Sequence, residues 1–111
     1  MYYGEYVSIE AYDQMIACHP FMDQCNACIV YRLLAHLGAP CDGSTVMDIG
    51  TGTGQTARFL KGVPGLRVEA SDVDPEAEQF FTTHPESSDI PFARFDFLSD
   101  PFPKPYDAIV G

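Results

Sequence analysis

The stretch Val46-Met47-Asp48-Ile49-Gly50-Thr51-Gly52-Thr53-Gly54 constrains this chain most, because an apolar run ends in an acid and then in three alternating glycines. Glycine is needed where the backbone turns tightly or where a ligand lies against it with no Cβ in the way. The start of a following helix adds free N–H groups. A strand that ends in such a loop can hold a nucleoside cofactor. The dinucleotide fingerprint is G-x-G-x-x-G, and its loop receives a doubly negative pyrophosphate. Here the third glycine comes one residue early, and Gln55 stands where that pattern wants glycine. The carboxylate of Asp48 repels a pyrophosphate and suits a cation.

Around this motif the chain alternates strand and helix patterns. The first strand covers residues 45–49, and a helix follows over residues 53–61, burying Ala57 and Leu60 and ending at Gly62 and the Pro64-Gly65 turn. A second strand covers residues 67–71. Asp74-Pro75-Glu76 is a helix start, with Asp74 as N-cap, proline at the first helical position and acids in the first turn. That helix takes residues 75–83. The Ser87-Ser88-Asp89 loop leads to a third strand over residues 92–96, and the proline-rich segment 100–105 delivers a fourth that starts near Asp107 and runs to Gly111. Such alternation implies a parallel sheet with right-handed crossovers.

Two helices precede the sheet. Residues 8–18 have Ser8 as candidate N-cap and an apolar stripe of Ile9, Tyr12, Met15 and Ile16, which His19-Pro20 ends. Residues 21–37 place Met22, Cys25, Ile29, Leu33 and Leu37 on one face, with Gly38 as the stop. Cys25-Asn26-Ala27-Cys28 has the spacing of zinc and redox sites, with Cys18, His19 and His36 near in sequence. There is no second CxxC pair. Helical periodicity therefore favours small apolar packing residues over metal chemistry, and no metal is expected.

Residues 46–111 resemble, in order and spacing, the Rossmann-like (class I) S-adenosylmethionine-dependent methyltransferases. The carrying segments are Asp48 to Gly54 as the glycine motif, Val68-Glu69-Ala70-Ser71-Asp72-Val73-Asp74-Pro75 as the second strand and its acid, Phe92-Ala93-Arg94-Phe95-Asp96-Phe97 as the third, and Tyr106-Asp107-Ala108-Ile109-Val110-Gly111 as the fourth. The resemblance implies an α/β fold with strand order 3-2-1-4, helices on both faces and two leading N-terminal helices. It divides the chain into a helical cap and linker, 1–43, and a cofactor-binding core, 44–111, which stops after strand 4 where the family carries three more strands. An apolar strand 4 edge, Ala108-Ile109-Val110, then invites self-association.

By resemblance, S-adenosylmethionine is the cofactor and S-adenosylhomocysteine the product. Asp48 meets the methionine ammonium, Gly50, Gly52 and Gly54 let the methionine and ribose approach, and Thr51 and Thr53 add contacts. Asp72 accepts from the ribose hydroxyls, Val73 packs on adenine, Asp96 accepts from the adenine amine, and the Phe97 N–H meets a ring nitrogen. Structural alternatives stand beside these roles. Asp48 could order its loop, the threonines could cap the helix, Val73 could be core, and Asp96 could be a polar strand end. Tyr2, Tyr3 and Tyr6 are candidates for a lid, or for a packed or frayed terminus. Asp107 orders a turn and is given no catalytic role. The family's acceptor-determining segments follow strand 4, so no catalytic base is assigned.

Sixteen acids against six bases give a net charge of −10, which repels a phosphate backbone and favours a cationic cofactor. A small-molecule acceptor is thus expected ahead of nucleic acid, with no nucleic acid gripped by this part. With no apolar run of membrane-spanning length and no signal-like N-terminus, the expectation is a cytoplasmic protein without a membrane partner. Two other readings compete with a methyltransferase. One is a noncatalytic cofactor-binding or interaction module. The other is a nicotinamide-dependent oxidoreductase, supported by Asp72 at a ribose position and opposed by Gln55 and Asp48.

Overall fold

The computed structural model describes residues 8–17, 21–38 and 41–111. The lid candidates Tyr2, Tyr3 and Tyr6, together with Cys18 and the His19-Pro20 break, lie outside them. The elements run α1 (Ile9–Ala17), α2 (Phe21–Leu37), β1 (Thr45–Ile49), α3 (Gln55–Lys61), β2 (Arg67–Ser71), α4 (Pro75–Thr83), β3 (Phe92–Ala93) and β4 (Ala108–Val110). The strands form one parallel sheet, as the strand and helix alternation implies, in the order β3-β2-β1-β4, the Rossmann-like order that the resemblance implies. β1 is central, paired with β2 from Thr45↔Arg67 to Ile49↔Ser71 and with β4 from Val46↔Ala108 to Asp48↔Val110. No described helix is long and apolar enough to cross a membrane.

Val46, Val68 and Ala70 from the strands, Ala57 and Leu60 from α3, Phe81 from α4, and Leu33 from α2 share one core with Ile90. Burial on this scale is the main force holding the layers together. Local signals set the helix ends. Ser8 Oγ accepts from the Ala11 N–H, Gly38 takes φ +89° after α2, and the Asp74 carboxylate accepts from the Glu76 N–H at 2.9 Å with Pro75 following it.

Three expectations need correction. β3 spans two residues and does not reach Asp96, because its partner β2 ends at Ser71, opposite Ala93. Asp96 instead closes a turn. Its carboxylate accepts from the Leu98 N–H and its carbonyl from the Ser99 and Asp100 N–H groups, so local bonds replace the ladder. The apolar stripes of the leading helices hold in part, with Ile9 and Leu33 buried and Ile29 and Leu37 packed against the core, but polar residues are buried beside them. In α1, Ile9 and Asp13 are buried while Met15 is 56% exposed, and in α2, Asn26 and Leu33 are buried while Cys25 and Cys28 are exposed. Each of the two buried polar residues has a partner on α3. β4 begins one residue after Asp107, whose carboxylate accepts from the Thr45 N–H at 2.7 Å and which thereby pins the amino end of β4 to that of β1.

Candidate functional site

At the carboxyl end of β1 the chain turns through Gly50, Gly52 and Gly54, with φ of +63°, +60° and +85°. These are left-handed values that a side chain with a Cβ resists. The Thr51 N–H donates to the Ser71 carbonyl at 2.9 Å, tying the loop to the end of β2, and the Gly54 N–H closes back on the Thr51 carbonyl. A Cβ at Gly54 would lie 2.7 Å from the ring of the fully buried Phe81. The glycine there serves loop-to-α4 packing, which the approach of a ligand alone does not explain. Neither threonine caps α3, whose N-cap Gly54 has no side-chain cap bond.

Asp48 faces into this loop and is 4% exposed. The Thr51 hydroxyl donates to its carboxylate at 2.8 Å. Burial pushes its pKa up to about 6, and the nearby Asp72 carboxylate adds to the rise, while the Thr51 hydroxyl and the Ala57 N–H pull the other way. A carboxylate held this way is short of positive charge. Asp72, half-buried just beyond β2, accepts from the Gly52 N–H at 2.9 Å and from the Asp74 N–H at 3.0 Å, one bond to each oxygen. Each carboxylate oxygen can take a second donor. Asp74 is the helix cap, and its second carboxylate oxygen is buried with no partner among the described residues.

On the β3 side the arrangement is looser. Val73 and Phe97 are 48% and 47% exposed, leaving apolar faces open. Asp96 is only partly buried, its carboxylate bonded to Leu98 and its N–H donating to Asp100 in a turn that closes on itself. The loop and strand-end acids thus gather around the carboxyl ends of β1 and β2, where ligands of open α/β sheets bind.

The sequence reading missed a polar tie beside the loop. Asp13 on α1 accepts from the Gln55 amide at 2.8 Å and from the Arg58 guanidinium at 3.0 Å, while Arg58 donates to the Thr53 carbonyl at 2.8 Å. These bonds hold the Asp13 carboxyl below the usual range although burial works against them. A clue was present in Gln55, the residue that breaks the dinucleotide fingerprint. Hydrophobic periodicity could not supply the partner 42 positions away. Asn26 on α2 likewise accepts from the Thr56 hydroxyl at 3.1 Å. A separate groove of about 450 Å³ lies along the outer side of β4, lined by Ile29, Leu33, His36, Ile109 and their neighbours, and includes none of the strand-end acids.

No family model matches the chain, and neither does any curated protein. Among solved structures it is similar to a crystal structure of coclaurine N-methyltransferase bound to N-methylheliamine and SAH, with a TM-score of 0.56 and 18% identity. The match covers 78% of this chain and 26% of that one, so the chain spans about a quarter of the length of the structure it matches. At this identity the likeness bears on the fold alone, a Rossmann-like α/β sheet.

Proposed function

We propose that this chain is the donor-binding part of an S-adenosylmethionine-dependent methyltransferase. The observation that carries this reading is the buried Asp48 carboxylate beneath a left-handed glycine loop, with Asp72 bonded to the Gly52 N–H of the same loop. Two acids facing one loop disfavour a pyrophosphate. They suit a ligand with an ammonium at one end and a diol further along. The donor set therefore fits the cofactor that the fold suggests, and the SAH bound in the similar structure supports the same choice.

In this reading Asp48 holds the ammonium, Asp72 accepts from the ribose hydroxyls, and Val73 with Phe97 flanks the base. Gly50 and Gly52 keep the loop backbone open to the ligand, and Thr51 orients Asp48 through its hydroxyl. Asp96 stands near the base edge with one carboxylate oxygen engaged by Leu98. Bound there, the sulfonium supplies an electrophilic methyl group. The chain's own contribution is to fix the donor so that an acceptor can align with it. A net charge of −10 favours a small-molecule acceptor over nucleic acid.

Calorimetric titration with S-adenosylmethionine, S-adenosylhomocysteine and NADH tests the reading. Binding of the first two without the third is expected. Binding of NADH alone, or of none of the three to a folded chain, would overturn it.

A further inference from the structure

The tie between α1 and the glycine loop does more than pack a helix. Asp13 is buried, and its Oδ1 receives two side chains of α3, from Gln55 and Arg58, the first residue of that helix and one a turn later. The same guanidinium reaches the carbonyl of Thr53 inside the loop. One carboxylate oxygen on α1 therefore fixes, through Arg58, the orientation of a peptide unit within the Thr51–Gly54 turn, next to the Thr51 that holds Asp48. The pair is largely buried, the side chains of Asp13 and Arg58 being only 12% and 10% exposed. In such surroundings a charged pair has strict geometry, and losing one partner leaves the other unpaired.

We propose that Asp13 is a positioning residue for the donor site, coupling the docking of α1 to the shape of the glycine loop through Gln55 and Arg58. This rests on the donor-site reading above and adds to it a residue from the leading helix. Coupling of this kind is reciprocal. A ligand that needs the ordered loop also favours docked α1, and loosening α1 weakens the ligand.

The test uses the whole chain with Asp13→Ala and, as a control for general loss of stability, Ile90→Val, an apolar core change outside the Asp13–Gln55–Arg58 tie. S-adenosylhomocysteine affinity is measured by calorimetry, and amide exchange of residues 9–17 and 51–54 is followed with and without ligand. Asp13→Ala is expected to lose affinity by about 5- to 30-fold and to speed exchange at residues 51–54 in the free protein, whereas Ile90→Val keeps its affinity. In the wild type the ligand is expected to slow exchange across α1. Unchanged affinity and unchanged loop exchange in Asp13→Ala would overturn the proposal, as would an equal loss in Ile90→Val. Should the wild type fail to bind, the donor reading falls, and loop exchange in the free protein still decides whether Asp13 orders the loop.

Discussion

The carboxyl edge of the sheet has two unlike halves. At β1 and β2 the acids are built into the backbone. Asp48 is buried and bonded to Thr51, Asp72 accepts from Gly52, and a backbone bond from Thr51 to Ser71 locks the loop across the two strands. Beyond β3, Asp96 serves its own turn and the flanking Val73 and Phe97 are about half exposed. The first half is already ordered by its own hydrogen bonds, whereas under the proposed function the second would gain its burial from the ligand. Binding energy should therefore concentrate in the first half, where little ordering remains to be done.

The largest effect is expected from breaking the loop itself. Gly54→Ala must hold a Cβ at φ +85° and 2.7 Å from the buried Phe81 ring, which should cost about 2–4 kcal/mol of stability. Urea denaturation reads this directly, and donor binding should be lost with it. Asp48→Asn should separate binding from stability. Removing a buried charge is expected to raise the melting temperature near neutral pH while weakening S-adenosylmethionine by about 2–4 kcal/mol. Asp72→Ala should weaken the cofactor by about 1.5–3 kcal/mol, and unchanged affinity in a folded variant would remove Asp72 from the site. On the looser side, Asp96→Ala should cost no more than about 1 kcal/mol of affinity. A loss there as large as at Asp72 would erase the distinction between the halves.

The parts legible in the sequence were those with local causes. The Asp74-Pro75-Glu76 start of α4 carries its own cap and fixed φ, and Gly38 its own left-handed turn, so both ends were readable from neighbouring residues. The parallel sheet followed from the alternation of short apolar runs with helices, and its strand order from the family resemblance. Asp13 and Asn26 were not legible, since their burial depends on α3 residues 42 and 30 or more positions away and an apolar stripe says nothing of polar pairs. The length of β3 was missed for a related reason. A strand lasts only as long as its partner, and β2 turns away after Ser71 to carry Asp72 to the loop. The sequence around Gly54 points only to a ligand contact, and the fold is what brings Phe81 against it.

The most direct test concerns Asp48 and its proton. Its carboxyl has a pKa of about 6 in the folded chain against an ordinary value of 3.8. The folded state therefore binds more protons than the unfolded one between these values, and this group's contribution to stability falls as pH rises across that window. An ammonium ligand needs the carboxylate charged, so its binding releases the proton below the higher value. Titrating S-adenosylmethionine across about pH 5 to 8 should show affinity rising by at most about tenfold per pH unit up to about pH 6 and levelling above it. The Asp48→Asn variant should show a flat profile. Binding of S-adenosylmethionine that is equally tight and equally flat with pH in both proteins would contradict the placing of the donor's ammonium on Asp48.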